Sequence, residues 1–167
     1  LAPWNGGAIY VAAADVLVDE CFITHCRASV RGGGLSFAGG GESVVRGTTM
    51  RYNHSGGIYT GDGGGAIHVD GAATRVTVED CSIKLNSAAV SGGGIASNQA
   101  QVGVRGSAVA LNQAGYSGGG LFALTGTLEV FDCVLGDNWA ALGGGLAADG
   151  LVTVTVTHTV FGGNQAS

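Results

Sequence analysis

Charged side chains in the middle of the chain have the residue types that act on polysaccharides. Such chemistry needs two carboxylates, or a carboxylate and a basic residue, held together in one cleft. The candidates are Arg46, Arg51, Glu79 and Lys84, with Asp62 and Asp70 nearby in sequence. Their spacing identifies no such pair, so we predict a solvated charged face and no catalytic residue. Convergence of the four in a groove with one of the two aspartates would instead indicate an enzyme.

A short insertion supplies candidates for binding. Residues 56–62 (GGIYTGD) lengthen one spacing of the repeat described below, and insertions in repeat proteins form loops that often bind ligands. We therefore predict Tyr59 and Asp62 as contact residues. Arg51 and Lys84 are further binding candidates, because they share one outward position in neighbouring repeats.

Two aromatic residues, Tyr116 and Trp139, lie in the turn after a repeated Asn. An aromatic side chain at such a place either contacts a sugar or a protein, or covers the turn, and both interpretations stay open.

Six glycine clusters, each running into an aliphatic residue, recur along the chain. They begin at Gly6, Gly32, Gly64, Gly92, Gly118 and Gly143, at spacings of 26, 32, 28, 26 and 25 residues. A period of this length is typical of a solenoid, in which each unit packs against its neighbours. The clusters lack the spacing and the following helix of a phosphate-binding loop, so we expect structural turns.

An eleven-residue block follows each cluster and can be aligned six times. The blocks begin at Val16, Ser43, Val76, Val102, Leu128 and Val154. Positions one and three are mostly aliphatic and position eight is apolar throughout, which indicates strands with one buried face. Position five mostly holds residue types that tolerate a bent backbone, so we predict a corner there.

Position eleven is Asn in five of the six blocks, at Asn53, Asn86, Asn112, Asn138 and Asn164, and Cys26 replaces it in the first. An Asn at one point of every coil can hydrogen-bond to the same Asn one coil away, so we predict a ladder. Asn53 also begins a glycosylation sequon, but its interior ladder position predicts that it is unmodified.

These features predict an all-β protein, a right-handed parallel β-helix of about six coils with three turns per coil. We expect coils near residues 6–26, 32–53, 64–86, 92–112, 118–138 and 143–164, within a single repeat domain over 1–167 that is a segment of a longer solenoid. Outward position four reads Asp19, Arg46, Glu79 and Arg105, so neighbouring coils should form opposite-charge pairs.

The four cysteines are predicted to be buried free thiols. Cys21, Cys81 and Cys133 share inward position six in alternate coils, about 9.6 Å apart, whereas a disulfide needs Cα atoms within about 7 Å. Cys26 lies on the strand after Cys21, too far away for a bridge. The cysteine and histidine spacings match no zinc site.

The repeat motifs resemble those of a known family. Gly6-Gly7-Ala8-Ile9 and Gly64-Gly65-Ala66-Ile67, together with Phe161-Gly162-Gly163-Asn164, are similar to the GGA-aliphatic and FxxN tetrapeptides of polymorphic outer membrane proteins, first described in chlamydiae. The resemblance covers essentially the whole chain, although most copies read GGG and one alone has Phe. It implies the β-helical passenger of a surface adhesin, within the broader group of pectin lyase-like β-helices, and an extracellular or cell-surface location.

Composition restricts the partners. A net charge of −5, with seven scattered basic residues, argues against nucleic-acid binding. No apolar run approaches the roughly 18 residues of a membrane helix, so we expect no membrane insertion of this segment. No motif indicates a cofactor or a metal.

The expected function is that of a non-catalytic structural or adhesive domain of a cell-surface or secreted protein, with a surface glycan or a protein receptor as its partner. A filament subunit is one alternative, in which the chain binds itself through open β-helix ends, because neither Leu1–Asn5 nor Gln165–Ser167 resembles a cap. A pectin lyase-like carbohydrate-active enzyme is the other alternative.

Overall fold

The computed structural model describes residues 4–167, which form a parallel β-solenoid of six coils. Each coil has four strands, and equivalent strands of successive coils pair in parallel to give four sheets of six strands. The predicted all-β solenoid and its number of coils are confirmed. The prediction of three turns per coil is wrong, because the two residues after the repeated Asn pair as a short fourth strand. Among the described residues there is no helix that is long and apolar enough to cross a membrane.

Sheets 1 and 2 follow the glycine clusters. Sheet 1 consists of Ile9–Ala12, Leu35–Ala38, Ile67–Asp70, Ile95–Asn98, Leu121–Ala123 and Leu146–Ala148. Sheet 2 consists of Leu17–Asp19, Gly41–Arg46, Thr74–Glu79, Gln101–Arg105, Gly126–Phe131 and Val152–Thr157. Sheet 2 therefore contains the first four positions of the aligned blocks, apart from Val16 in coil 1.

Sheets 3 and 4 have shorter strands. Sheet 3 consists of Phe22–Thr24, Thr49–Arg51, Ser82–Lys84, Ala108–Ala110, Val134–Gly136 and Val160–Gly162. Sheet 4 consists of Arg27–Ala28, His54–Ser55, Ser87–Ala88, Gln113–Ala114, Trp139–Ala140 and Gln165–Ala166. The repeated Asn lies at the corner between these two sheets.

The core lies inside the coils, where one face of each sheet is lined with aliphatic side chains. Val76, Val78 and Ile83, which occupy positions one, three and eight of coil 3, are fully buried, as are Val109 and Leu135 at position eight of coils 4 and 5. Burying such a side chain stabilises the fold by roughly 1.5–3 kcal/mol. The repeated inward positions are therefore a main source of stability.

Within the aligned block every coil has two corners with a left-handed backbone. At position five φ lies between 48° and 56° in all six coils, which confirms the predicted corner. At position ten φ lies between 53° and 66°, a corner that the sequence pattern does not predict; its residues are His25, Tyr52, Leu85, Leu111, Asp137 and Gly163. A residue other than glycine loses roughly 1–2 kcal/mol in this conformation. The left-handed backbone is therefore unfavourable for Leu85 and Leu111.

The glycine clusters form the turn into sheet 1. Gly64 has a φ of 68°, and a Cβ at this residue would overlap the carbonyl oxygen of Ile67. A Cβ at Gly65 would overlap the carbonyl oxygen of Gly93 in the next coil and lie 2.6 Å from that of Ser87. The close approach of turns in adjacent coils therefore requires glycine, which explains why the cluster recurs.

The predicted asparagine ladder is present at the corner between sheets 3 and 4. Nδ2 of Asn53, Asn86, Asn112 and Asn138 donates to Oδ1 of the Asn in the following coil at 2.9–3.1 Å. Each of these Oδ1 atoms also accepts the backbone N–H of the preceding Asn at 3.0 Å. Cys26 begins the ladder through its backbone N–H, which donates to Asn53 at 3.0 Å. The ladder is thus a continuous column, buried from Asn53 to Asn138.

All four cysteines are free. Cys81 and Cys133 are buried as predicted, and burial raises the pKa of both thiols because it disfavours the thiolate. The prediction of burial is wrong for Cys21, which is exposed, and for Cys26, which is half-buried. Both lie in coil 1, which has a neighbouring coil on one side among the described residues.

Candidate functional site

The insertion forms a surface loop between strands His54–Ser55 and Ile67–Asp70. Ile58 and Tyr59 lie at its tip and are strongly exposed, Tyr59 by 70%. The backbone N–H of Asp62 donates to the carbonyl of Tyr59 at 2.8 Å and closes a tight turn. The loop therefore presents an aromatic and an aliphatic side chain to solvent.

Asp62, predicted as a contact residue, holds this loop in place. It is 1% exposed, so it supports the loop and offers little surface for direct contact. Its Oδ2 accepts the backbone N–H groups of Ile58 and Tyr59, both at 3.1 Å. Its Oδ1 accepts Nε of Arg31 at 2.7 Å. Burial raises the pKa of Asp62, but the hydrogen bonds from Arg31 and the two backbone N–H groups outweigh burial, so the pKa is lowered. Asp62 is therefore an ionised anchor.

Arg31 connects the loop to sheet 1. Besides its bond to Asp62, its Nη1 donates to Oδ2 of Asp70 at 3.0 Å. The other carboxylate oxygen of Asp70 accepts Nδ2 of Asn98 at 3.1 Å. These residues form one polar network, which we call the loop network. The side chain of Arg31 stays partly exposed, so water reaches one side of the network.

His68 completes the loop network beneath the loop. It is fully buried on sheet 1, and its Nε2 lies 3.0 Å from the carbonyl oxygen of Gly61. Since a carbonyl can only accept, Nε2 bears the hydrogen, and Nδ1 is an acceptor with no partner in the described part of the chain. Burial lowers the pKa of His68 to about 4, with the Gly61 bond acting in the opposite direction. The imidazole is therefore neutral at pH 7.

A hollow of about 420 Å³ lies beside the loop, and its lining includes Trp4, Val30, Arg31, Ile58 and Tyr59. Trp4 is highly exposed, and its carbonyl accepts the N–H groups of Val30 and Arg31 at 2.8 and 3.1 Å. The guanidinium has five N–H groups, so it retains donors beyond its two ion pairs. Exposed aromatic faces beside such donors suit a sugar ring or an apolar side chain.

The charged residues considered for catalysis do not converge. Arg46 and Glu79 are Cα partners on sheet 2, whereas Arg51 and Lys84 are Cα partners on sheet 3. The two aspartates of the loop network bind Arg31 instead of joining either pair. Over residues 4–167, no group of three or more His, Cys, Asp or Glu side chains is arranged to hold a metal ion.

The outward charges that alternate along sheet 2 form some of the predicted ion pairs. Arg46 binds both carboxylate oxygens of Asp19, at 3.0 and 2.7 Å. Arg105 lies beside Glu79 in the sheet, but its ion pair is with Glu129 at 3.5 Å. These pairs are exposed, so solvent screens their charges. They support the register and add little energy.

A family model for the right-handed β-helix region matches residues 2–161, almost the whole chain. The chain belongs to the right-handed β-helix family. Membership confirms the predicted fold, including its hand, and supports the pectin lyase-like architecture. Searches of curated proteins and of solved structures gave no significant match. The closer resemblance to polymorphic outer membrane protein repeats remains a prediction.

The two other aromatic candidates of this β-helix do not line the hollow. Tyr116 is exposed in the turn after strand Gln113–Ala114. Trp139 is half-buried in sheet 4, where Gln113 and Gln165 are its Cα partners. Tyr116 is therefore accessible for contact, whereas Trp139 partly covers its own sheet.

The sequence pattern does not predict three residues near the loop: Arg31 and His68 of the loop network, and Trp4 beside the hollow. Arg31 directly precedes a glycine cluster, at a point where three other coils of this β-helix have small residues: Gly63, Ser91 and Ser117. A long cation in place of a small residue is a signal that the sequence does contain. Trp4 and His68 each occur outside any repeated pattern, so no spacing marks them.

Proposed function

We propose that this β-helix is a non-catalytic structural or adhesive domain of an extracellular or cell-surface protein. One observation carries the proposal: Ile58 and Tyr59 of the loop and Trp4 beside it are exposed around an open hollow, while the adjacent charges of Arg31 and Asp62 neutralise each other. Catalysis needs acid and base groups directed at a substrate, whereas adhesion needs exposed aromatic surface on a rigid support. The geometry of the loop fits the second requirement better.

Rigid support comes from the solenoid beneath the loop. Asp62 fixes the loop tip through two backbone N–H groups, and Arg31 ties that carboxylate to Asp70 at the end of a sheet 1 strand. A surface glycan or a protein receptor would therefore meet a preorganised loop, which lowers the entropy lost on binding.

Binding to a panel of glycans and candidate receptor proteins tests the adhesive role. Tyr59→Ala should reduce affinity for the best ligand about tenfold or more, as expected for an aromatic residue at the centre of a contact. Tyr116→Ala is the matched control, because it removes another exposed tyrosine outside the hollow. Equal losses in the two variants would contradict binding through the loop.

The enzymatic alternative is tested by incubating the chain with pectin and other acidic and neutral polysaccharides. We expect no release of reducing ends or unsaturated products. Release of product that disappears in Glu79→Gln or Lys84→Gln would overturn the non-catalytic proposal.

The extracellular location is inferred from the resemblance of the repeats to polymorphic outer membrane protein motifs. An antibody against residues 1–167 should label intact cells of the source organism. Labelling restricted to permeabilised cells would contradict this part of the proposal.

End-to-end stacking is a second candidate function, favoured by the exposed core residues of coil 6. Phe161 is 47% exposed, whereas Leu135 at the equivalent position of coil 5 is fully buried. A further coil, from a longer chain or from another copy, would cover Phe161 and pair with its strand. Sedimentation of residues 1–167 should then show long particles that grow with concentration and disappear in Phe161→Glu. A monomer at every concentration would exclude stacking. At the other end, Leu1–Pro3 of the predicted uncapped segment lie outside the described residues.

A further inference from the structure

In coils 1–4 the face formed by sheets 3 and 4 contains no acidic residue. We call it the acid-free face: it comprises sheets 3 and 4 with their connecting corner in coils 1–4, residues 22–28, 49–55, 82–88 and 108–114. The chain has twelve Asp and Glu residues and a net charge of −5, and all twelve lie elsewhere. Such a distribution gives the face a potential opposite to that of the rest of the molecule.

The unpaired cations are concentrated on this face. In the stretch 4–167, four of the seven basic residues form ion pairs with carboxylates: Arg31, Arg46, Arg75 and Arg105. The other three, Arg27, Arg51 and Lys84, form none, and all three belong to the acid-free face. Arg51 and Lys84 are Cα partners on adjacent strands, so their backbones are about 4.8 Å apart. Nε of Arg51 is buried without a hydrogen-bond partner among the described atoms.

Arg27 extends the positive region onto sheet 4. Its Cα partner is His54, whose Nδ1 lies 2.9 Å from Oγ of Ser87. Burial, and after it the charge of Arg27, lowers the pKa of His54. The histidine is therefore neutral at pH 7, and the three permanent cations determine the charge of the face.

Exposed apolar side chains form a column beside these cations. The column is position ten of coils 2–4, where Tyr52, Leu85 and Leu111 are 52%, 38% and 49% exposed. In coil 1, His25 stacks on Tyr52 with ring centroids 5.1 Å apart. The left-handed backbone disfavours leucine and tyrosine, and coil 5 has Asp137 at this position, a type that tolerates the conformation better. Neither backbone preference nor complete burial therefore explains apolar residues here.

We infer that the acid-free face binds a protein partner whose contact surface combines carboxylates with apolar side chains. The carboxylates would pair with Arg27, Arg51 and Lys84, and the apolar side chains would pack on Tyr52, Leu85 and Leu111. Arginine beside aromatic and aliphatic side chains is typical of protein interfaces. A polysaccharide or a nucleic acid would satisfy the cations but would offer the two leucines little apolar surface.

The partner is recognised through side chains and not by strand addition. Strands of sheets 3 and 4 in coils 2–4 are already paired on both sides, so they have no free edge for an extended peptide. The inference deepens the proposed adhesive function by naming a class of partner. It uses a different surface from the loop, so each proposal can fail without the other.

Selection of a phage-displayed random peptide library on the immobilised chain tests the inference. We expect the enriched peptides to combine Asp or Glu with Leu, Phe or Trp. Their affinity should fall about tenfold in Arg51→Gln/Lys84→Gln, since two charge pairs are lost. Leu85→Asn/Leu111→Asn should reduce it as well. If the double variant is unstable, Lys84→Gln alone replaces it in the affinity measurement, because it changes an outward side chain.

The matched control is Arg75→Gln/Arg105→Gln, which removes two exposed, ion-paired arginines from sheet 2. It should change affinity by less than about twofold, because these arginines already have partners. Equal losses of affinity in the two double variants would mean that peptide binding depends on net charge alone, and would overturn the inference. So would enriched peptides without an acidic excess, or displacement of the peptide by heparin or duplex DNA at equal charge concentration. Tyr59→Ala should leave peptide binding unchanged; a loss there would assign the peptides to the loop and overturn the acid-free face as their site.

Discussion

The asparagine ladder and the loop network are both polar networks with buried members, but they are built on different principles. The ladder is neutral and repeats one residue type, and each internal Asn donates to the next coil and accepts from the previous one. The loop network occurs once and is charged: Arg31 faces the two carboxylates of Asp62 and Asp70. One of its buried atoms, Nδ1 of His68, has no partner among the described residues.

The difference shows that the repeated ladder stabilises the solenoid, whereas a network that occurs once can be specialised for a local role. In the ladder every amide has its hydrogen-bond partner in the neighbouring coil, so a polar column can be buried without any net charge. In the loop network one guanidinium faces two carboxylates, so a net negative charge remains, and partial exposure of Arg31 and Asp70 lets water solvate it. A unique network can change without disturbing the remaining coils, which suits a site for binding.

The sharpest test of this difference replaces one asparagine in each network. Asn112→Ala should reduce the free energy of unfolding by about 4 kcal/mol, because it removes the acceptor of two buried N–H groups of Asn86 and the amide that donates to Ile83 and Asn138. Asn98→Ala, in the loop network, should cost about 1 kcal/mol, since it removes a half-buried bond to Asp70. Urea unfolding followed by circular dichroism measures both values. Similar losses at the two sites would contradict the distinction.

The stability that the loop network contributes should depend on pH, whereas that of the ladder should not, because His68 titrates and the asparagines do not. The folded pKa of His68 is about 4, lowered from 6.5, so between these values the unfolded chain binds a proton that the folded chain does not. Stability contributed by neutral His68 is complete above pH 6.5 and decreases as the pH falls towards 4, by roughly 3 kcal/mol. His68→Gln keeps a side-chain N–H for Gly61 and removes the titration. Its unfolding free energy should vary less between pH 7 and pH 4.5 than that of the wild type; identical pH dependence would show that His68 is not the group responsible.

Removing the charge of Asp62 measures how strongly the loop network holds the loop. Asp62→Asn should destabilise the fold by about 2 kcal/mol, because it loses a charge-assisted bond to Arg31 and keeps one oxygen acceptor. The pKa of Asp62 is lowered from 3.8, so its contribution is present above pH 3.8 and is lost as the pH falls through the lower folded pKa. The difference from wild type should therefore be constant at neutral pH and disappear in strong acid. Glu20→Gln, an exposed carboxylate at a corner, should change stability by less than about 0.5 kcal/mol; an equal effect would show that general charge balance is involved.

Repetition explains which features can be predicted from the sequence. The coils, the corner at position five and the ladder from Asn53 to Asn164 all repeat, so each copy confirms the interpretation of the others. Tyr59 was identified because the insertion interrupts the period. The partners of Asp62 could not be predicted, because an ion pair between Arg31 and Asp62 depends on how a single loop folds back. The burial of Asp62 follows from that same unrepeated contact.

Deviations within the repeat were harder to interpret than the repeat itself. Position ten has no common residue type, ranging from Tyr52 and Leu111 to Gly163, so its left-handed corner leaves no compositional signal. Cys21 was predicted to be buried because it aligns with Cys81, but alignment describes an internal coil and coil 1 has one described neighbour. A residue's place along the stack therefore matters as much as its position within the coil.

The smallest expected effect separates the apolar column from the ladder beside it. Leu111 directly precedes Asn112, is 49% exposed and has a φ of 56°. Leu111→Asn should change the unfolding free energy by less than about 0.5 kcal/mol, because the loss of a half-buried side chain is offset by the better tolerance of Asn for a left-handed backbone. Val109→Asn makes the same kind of change two residues earlier, at a fully buried position, and should cost about 3–4 kcal/mol. Thermal and urea unfolding of both variants decide the matter. If Leu111→Asn cost more than about 1.5 kcal/mol, the column would be part of the packing that supports the ladder. A near-zero change would show that the stability of the fold does not require an apolar side chain at this corner. Contact with a partner would then explain why Leu111 is apolar.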